Sequence, residues 1–267
     1  MKKWIACSSF FVLSVVSCAP APENSVGIDL GSARLVDLSL TYDEDTLYWP
    51  TSPIGFELTE LAYGPSGSGY FYSAYSFCTA EHGGTHIDAP IHFAENGRTA
   101  GEIPVRQLIA PGVVLDMSEE AARDPDARLD VATIEAWEAR HGPVPSGAIV
   151  LLRTGWAERW PDALSYLGDD TPGDASKLHF PAYGGEAARY LVEKREVGAL
   201  GVDTASVDYG PSKDFIVHQI TASAGVPNLE NVTNVAELPE TGFWVVALPI
   251  KIGKGSGGPV RIVAILP

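Results

Sequence analysis

Basic residues are scarce in this sequence. Its 18 lysines and arginines stand against 34 aspartates and glutamates, which gives a formal net charge of −16 over 267 residues. A surface of that sign repels polyanions, and no lysine-rich or arginine-rich run offers a local exception, so we expect no nucleic-acid partner. The sequence also lacks any internal repeat with a period of about 20 to 50 residues, which argues against a solenoid or a propeller.

Cysteine is rare as well, with three residues in the whole chain. Cys7 and Cys18 lie near the N-terminus, which leaves Cys78 as the one cysteine of the main body of the sequence. A disulfide framework is therefore excluded. Cys78 falls among aromatic residues in a predicted strand, so we expect a small core residue there rather than a nucleophile.

The N-terminus carries the pattern of an export signal. Two lysines precede an apolar run from Trp4 to Val16, too short to span a bilayer, which predicts a signal peptide over residues 1–17. Residues 15–18 (Val-Val-Ser-Cys) resemble the bacterial lipobox, although an ordinary signal peptide cut nearby would also fit. We expect an exported lipoprotein on the periplasmic side of a bacterial membrane, attached only through Cys18, with residues 18–31 as lipidated cysteine and tether.

Residues 32–267 predict one domain in which strands outnumber helices. With 45% apolar residues, this part of the chain can bury a substantial core. A helix is expected over 131–140, since Asp130 can cap its start and Gly142 can end it. A second helix is expected over 185–196. The predicted fold class is therefore mixed α/β with a curved, barrel-like β-sheet and flanking helices. The predicted strands cover residues 35–40, 70–80, 112–117, 148–152, 197–202, 243–248 and 260–266.

Three of the six histidines are concentrated between His82 and His92, together with Asp88. Imidazole and carboxylate are the ligands that zinc-like metals prefer. In an extended segment residues two apart share a face, so His86 and Asp88 can reach one ion. The glycines at 83 and 84 argue against a helix, so a tight turn would have to bring His82 to the same place.

Other segments offer groups that could complete such a site. Asp203 and Asp208 follow a predicted buried strand, and His218 and Glu230 come later in the chain. Their spacing alone does not select among them, because buried polar residues at the end of a strand can equally serve as hydrogen-bonding scaffold.

The residues themselves resemble a known family. The pattern His-x-Gly-Thr-His-x-Asp-x-Pro-x-His over residues 82–92 matches the signature of the cyclase family of metal-dependent hydrolases, which includes kynurenine formamidases and isatin hydrolases. The likeness continues through residues 201–208, through His218 and Glu230, and through residues 248–261. It covers nearly all of residues 35–267.

This resemblance implies a fold of the family's swivelling β/β/α type and a site with two divalent metal ions, usually zinc. One ion would be held by His82, His86 and Asp88, with Asp88 bridging to a second ion held by His218 and Glu230. His92 would be the catalytic acid/base. Isatin hydrolases, by the same likeness, use a single manganese and lack the equivalent of Glu230, so the Glu230 of this sequence favours the two-metal arrangement. Manganese stays an alternative to zinc, because nitrogen and oxygen ligands discriminate weakly between these ions. Asp203 and Ser206 would orient the ligand histidines or their loop.

The implied function is metal-dependent hydrolysis of a small amide, either an aryl formamide such as N-formylkynurenine or a lactam such as isatin. Its class is a hydrolase acting on C–N bonds other than peptide bonds. The resemblance also implies a homodimer. Two alternatives stay open: a periplasmic module that binds a metal and a ligand without turnover, and a true ring-closing cyclase. Candidates to line the substrate pocket are Trp49, Tyr72, Trp156 and His179.

The glycine-rich run at residues 253–258 satisfies the dinucleotide-binding pattern G-x-G-x-x-G on paper. A proline and a predicted strand follow it, where a dinucleotide site needs a helix. We therefore expect no nucleotide cofactor.

The predicted lipid attachment at Cys18 can be tested by substitution. In a bacterial host, Cys18→Ser should move the protein from the membrane fraction to the soluble periplasmic fraction, because the substitution removes the attachment point of the lipid. Fractionation with immunoblotting measures this. Equal membrane association of both proteins would contradict the lipoprotein assignment.

Overall fold

The structure is a computed structural model that describes Met1 and residues 29–267, so the predicted signal peptide and most of the tether lie outside the described residues. The strands are β1 (Arg34–Asp37), β2 (Glu57–Pro65), β3 (Phe71–Cys78), β4 (His86–Asp88), β5 (Ile109–Asp116), β6 (Arg128–Leu129), β7 (Ile149–Arg153), β8 (Ala182–Tyr183), β9 (Ala199–Val202), β10 (Asn228–Glu230), β11 (Phe243–Pro249) and β12 (Gly257–Leu266). The α-helices are α1 (Val105–Leu108), α2 (Ser118–Arg123), α3 (Val131–His141), α4 (Ala163–Leu167), α5 (Gly185–Arg189) and α6 (Ile216–Ser223).

Seven strands close into a mixed β-barrel. Their order is β12–β11–β5–β7–β9–β10–β4, and β4 pairs back onto the start of β12. The run β5–β7–β9–β10 is parallel, and the remaining pairs are antiparallel. β1 extends the sheet along the far half of β12. This closed barrel confirms the predicted mixed α/β class with a barrel-like sheet.

The parallel strands are buried on both faces, which explains their continuous apolar runs. In β7, Ile149 and Leu151 belong to the core inside the barrel, together with residues of β4, β10, β11 and β12. Val150 and Leu152 belong to a second core between the barrel and helices α3, α5 and α6. With no solvent-facing side, the strand shows no alternation in the sequence.

Helix α3 begins and ends as the sequence predicts. The Asp130 side chain accepts a hydrogen bond from the Thr133 amide at 2.8 Å, and Gly142 follows the last turn with a positive φ of 83°. Ile134 and Trp137 form its buried face against the barrel. The second predicted helix is α5, which continues as a π-helical turn over Tyr190–Lys194.

Strands β2 and β3 form a separate two-stranded hairpin, paired with each other and with no other strand of the described residues. The sequence predicted only the second strand. One face of the hairpin carries mostly small and polar residues with Tyr72, the other carries most of the large apolar residues together with Glu60 and Ser73, and the large apolar residues of that second face are exposed. They are Leu58, Tyr63, Phe71, Tyr75 and Phe77.

The hairpin also corrects the prediction for Cys78. This residue ends β3 and is exposed, because the strand lies on the surface and not in the core as its aromatic neighbours suggested. The sequence analysis likewise missed α6 and the three-residue strand β10. Within residues 29–267, no helix combines the length and the apolar character needed to cross a bilayer.

Candidate metal centre

A tight turn after the hairpin leads the chain into β4. Gly84 has a positive φ of 53°, which glycine adopts without strain, and a Cβ on Gly83 would lie 2.1 Å from the Tyr48 ring. The Thr85 hydroxyl donates to the Asn231 carbonyl at 2.7 Å and so joins this turn to the end of β10. The local sequence therefore needs both glycines in order to place His82 and His86 side by side.

Strands β4 and β10 bring two carboxylates together. They pair antiparallel, with His86 opposite Glu230 and Asp88 opposite Asn228. Ile87, between the two polar residues of β4, points into the barrel core and is fully buried. His86, Asp88 and Glu230 are themselves buried, and their ligand atoms lie within 4.8 Å of one another. His86 and Asp88 therefore share one face of the strand, as the sequence predicts.

Asp208 holds His218 in the same place. Its carboxylate accepts hydrogen bonds from the amides of Val217 and His218 at the start of α6, at 2.9 and 3.1 Å, and contacts the His218 Nδ1 at 2.8 Å. The opposite nitrogen, Nε2, lies 3.1 Å from Asp88 and 3.3 Å from Glu230. The helix terminus and the imidazole are thus fixed by one carboxylate.

His82, His86 and His218 are held in the same way. One ring nitrogen of each contacts a hydrogen-bonding partner outside the cluster, and the other nitrogen faces the carboxylates. The outward partners are Ser256 for His82, the Gly84 carbonyl for His86 and Asp208 for His218. The inward nitrogen of His86 lies 3.3 Å from Asp88 and 3.4 Å from Glu230, and it is buried without a hydrogen-bond partner. Ligand histidines in metal sites are held in this way by their second nitrogen.

These contacts fit a divalent cation. When a neutral imidazole donates a hydrogen bond through its outer nitrogen, its inner nitrogen carries a lone pair. The three inner nitrogens and the two carboxylates of the cluster are then all hydrogen-bond acceptors, with no donor among them. A cation at this position would satisfy all of them. The unpartnered Nε2 of His86 is the observation that makes the fit specific.

The charges of the cluster also support one another without a metal. Burial raises the pKa of Asp88, but the imidazoles of His218, His82 and His86 beside its carboxylate outweigh burial and hold the pKa well below its usual range. Burial lowers the pKa of His86, yet Asp88 and Glu230 together raise it to about 10. Burial also lowers the pKa of His218, but Asp208, Asp88 and Glu230 outweigh burial and raise the pKa well above its usual value.

His92 differs from the other three histidines of the cluster. Its ring stacks on His82 at 3.9 Å between centroids and is partly open to the cavity. One of its ring nitrogens lies within 4.8 Å of ligand atoms of His82 and Asp88, so His92 borders the same site, but no hydrogen-bond partner among the described residues fixes its tautomer. Burial, together with the imidazoles of His82 and His218, lowers its pKa to about 4 against the opposing effect of Asp88, so at neutral pH the ring is neutral and presents a free nitrogen lone pair.

The cluster forms the floor of a cavity of about 280 Å³. Its walls are mostly apolar, and the predicted Trp49 is one of them, packed edge to face on Phe215. Ser206 and Asn231 supply polar groups beside the cluster. The other apolar wall residues are Leu47, Phe93, Leu167 and Ala205.

Three predicted pocket residues do not line this cavity. Tyr72 is exposed on the hairpin, because the strand that carries it stands off the barrel. Trp156 is buried behind the wall, where its indole nitrogen donates to the Tyr166 carbonyl at 2.7 Å. His179 is half exposed and pairs with Asp126 at 2.9 Å.

Of the two residues expected to orient the histidines or their loop, Ser206 accepts a hydrogen bond from the Asp208 amide at 3.2 Å, and Asp203 supports a different loop. Asp203 accepts hydrogen bonds from Thr154 and Gly155 and so orients a loop, and it contacts no histidine. Burial raises its pKa to about 6, against the effect of those hydrogen bonds. Asp208 is the residue that orients His218, and the sequence spacing could not choose between the two.

A barrel that carries a histidine–carboxylate cluster at the end of an apolar cavity is the architecture of a metal-dependent hydrolase. The comparisons with known proteins agree. Residues 36–209 match the model of the family described as "Putative cyclase". The chain is 34% identical to isatin hydrolase from Roseibium aggregatum over 208 residues, which is 74% of this chain and 77% of that protein.

Two further likenesses cover more of the chain. Kynurenine formamidase from Bacillus cereus is 27% identical over 236 residues, 87% of this chain and 97% of that protein. Isatin hydrolase A from Labrenzia aggregata, solved with benzyl benzoate bound, superimposes with a TM-score of 0.79 at 33% identity, over 88% of this chain and 94% of that one.

The chain therefore belongs to the cyclase family, as the sequence analysis predicted. The prediction of an enzyme acting on C–N bonds other than peptide bonds is confirmed by these relatives. The alternatives of a binding module and of a ring-closing enzyme find no support in them.

The raised pKa values of His86 and His218 predict that metal binding releases protons. The raised pKa values favour an extra proton on both imidazoles in the metal-free chain, and a nitrogen that binds a metal must lose that proton. At pH 7 we expect about two protons released per chain, decreasing as the pH approaches 10. Titration calorimetry with zinc in buffers of different ionisation enthalpy measures the number, and enthalpies independent of the buffer would contradict the prediction.

Proposed function

We propose that this protein hydrolyses the C–N bond of a small aromatic lactam of the isatin type, with aryl formamides as the second candidate. The observation that carries the proposal is the buried Nε2 of His86, which faces Asp88 and Glu230 without a partner at the floor of an apolar cavity. The greater identity to isatin hydrolase than to kynurenine formamidase favours the lactam.

Two metal positions are supported by the way each carboxylate divides its oxygens. Asp88 turns Oδ1 to His82 and His86 and Oδ2 to His218. Glu230 turns Oε2 to His86 and Oε1 to His218. We propose that His82, His86 and Asp88 hold one zinc ion and that His218 and Glu230 hold a second, with Asp88 shared. Manganese is the alternative, because nitrogen and oxygen ligands discriminate weakly between these ions.

Divalent cations in such a site polarise a substrate carbonyl and lower the pKa of a neighbouring water molecule. His92 is neutral and open to the cavity, so it can take a proton from the attacking water. The water oxygen bonds to the carbonyl carbon, the C–N bond breaks, and the proton held by His92 passes to the leaving nitrogen. A lactam opens in this way to a carboxylate and an amine in one molecule.

The cavity suits a flat, mostly apolar substrate. Trp49, Phe93 and Phe215 surround the space above the cluster, and aromatic walls pack well against a fused ring. Ser206 and Asn231 lie where polar groups of a substrate could find partners.

The activity is tested with purified metal-loaded protein and isatin, followed by the loss of substrate absorbance. We expect turnover, and a decrease in kcat/KM of about 10²- to 10⁴-fold for His92→Asn with the metal content unchanged. His86→Ala should lose both bound metal and activity. Elemental analysis of the purified protein decides between zinc and manganese and counts the ions.

His179→Asn is the matched control, because His179 is a half-exposed histidine outside the cavity. Its activity should equal that of the wild type. Unchanged product formation by His92→Asn would overturn the assignment of the acid/base, and full activity of metal-free His86→Ala would overturn the metal mechanism.

We also propose that the apolar face of the β2–β3 hairpin binds a second copy of the chain. An isolated two-stranded hairpin is marginally stable in water, and this one exposes Leu58, Tyr63, Phe71 and Phe77 by 58, 67, 62 and 59%. A group of large exposed apolar residues of this kind is typical of an interface. A homodimer would bury it and would agree with the family resemblance.

Light scattering after size-exclusion chromatography tests this interface. Phe71→Glu should shift a dimer to a monomer, because a carboxylate in an apolar interface loses its hydration. Thr59→Glu on the opposite face of the hairpin is the control and should remain dimeric. A monomeric wild type, or a dimeric Phe71→Glu variant, would contradict the proposal.

We propose that the predicted export signal carries the enzyme out of the cytoplasm and that Cys18 attaches it to the membrane surface. An enzyme in that location meets small aromatic amides taken up from the surroundings, and not the intermediates of cytoplasmic catabolism.

A further inference from the structure

The glycine-rich segment at residues 253–258 lies against the metal centre. Its main chain is held from both sides, since the Gly255 carbonyl accepts from Ala100 at 2.9 Å and the Ser256 carbonyl accepts from Ala89 at 2.8 Å. Gly257 then pairs with Asp88 as β12 begins. The segment therefore runs beside β4 and brings the Ser256 side chain to the outer edge of His82.

Ser256 connects His82 to a carboxylate outside the cluster. The Glu81 Oε2 accepts hydrogen bonds from the Ser256 amide at 2.9 Å and from its hydroxyl at 2.6 Å. A hydroxyl has one proton, so the Ser256 oxygen can only accept from the His82 Nε2, which lies 2.9 Å away. The proton of His82 is thereby placed on Nε2, and Nδ1 faces Asp88 at 2.7 Å.

The glycines on either side of Ser256 leave room for this arrangement. A Cβ on Gly255 would lie 2.7 Å from the Glu81 carboxylate, and one on Gly257 would lie 2.6 Å from the His82 ring and 2.4 Å from the Ile87 carbonyl. Larger residues would push Glu81 and His82 out of position. Gly255 and Gly257 are thus required by close packing against the site.

His82 needs such a support more than the other two anchored histidines. Its side chain is 25% exposed, against 3% for His86 and 6% for His218. The two buried imidazoles are enclosed by the fold, whereas His82 borders solvent, where water competes for its outer nitrogen.

We propose that Glu81 and Ser256 are a pair of positioning residues that fix the tautomer and the orientation of His82 as a metal ligand. The inference rests on the metal binding in the proposed function. Neither residue reaches the cavity, and both act through the imidazole.

Zinc affinity of the purified, metal-free full-length protein tests the pair, measured by competition with a chromophoric chelator. Ser256→Ala should weaken zinc binding by about 10- to 100-fold, the usual effect of removing a partner of a ligand histidine. Ser256→Thr keeps the hydroxyl and should bind zinc as the wild type does. Glu81→Ala should weaken binding in the same direction, and the double variant should be no weaker than the weaker single variant, because both act through one hydrogen-bond chain.

A second measurement separates positioning from a general loss of structure. In the zinc-loaded wild type, the His82 Nε2 proton should give a ring N–H resonance in the NMR spectrum that exchanges slowly with water. Ser256→Ala should lose this signal, and Ser256→Thr should keep it.

Thr99→Ala is the matched control. The Thr99 hydroxyl contacts the Gly253 carbonyl at 3.1 Å, so it supports the same segment without touching His82. Its zinc affinity should be unchanged. Wild-type affinity in Ser256→Ala, or an equal loss in Thr99→Ala, would overturn the positioning role.

The outcomes also separate this inference from the proposed function. A wild type that binds zinc but does not hydrolyse isatin, with the variants behaving as expected, would overturn the lactam substrate and support the positioning pair. A wild type that hydrolyses isatin, with Ser256→Ala binding zinc normally, would overturn the pair alone. A wild type that binds neither zinc nor manganese would overturn both.

Discussion

Two buried carboxylates impose the main constraint on this structure. Asp88 and Glu230 lie side by side on paired strands, away from solvent, where an uncompensated negative charge costs several kcal/mol. Three imidazoles surround them, and each is oriented by a partner outside the cluster. Protons can supply the opposing charge, and so can metal ions. Much of the surrounding structure, from the turn at Gly84 to the start of α6, serves to keep these groups together.

The barrel holds these charged groups in fixed positions. Its interior is filled with apolar side chains, so β4 and β10 are rigidly placed although each has only three residues. Successive side chains of β4 point to opposite faces, so Ile87 packs in the core while His86 and Asp88 face the cavity. The parallel strands are apolar throughout, because their inner face packs in the barrel and helices cover their outer face.

The sequence predicts what depends on neighbours along the chain. The cap of α3 by Asp130, the apolar run of β7 and the convergence of residues 82–92 follow from local pattern, and the cluster's more distant members came from the family resemblance. Long-range packing lay outside that reasoning. Alternation in β3 could not tell that the strand leaves the barrel, so Cys78 and Tyr72 were misplaced. Contacts across more than 170 residues, such as Glu81 with Ser256, have no signature in local spacing.

The pairing of β4 with β10 also concerns folding. These two short strands join a segment near residue 86 to one near residue 230, and they complete the closure of the barrel. An ion held between their side chains would act as a cross-link between distant parts of the chain, and its binding energy would add to the stability of the native state. In the proposed holoenzyme, a chelator would then act as a denaturant as well as an inhibitor.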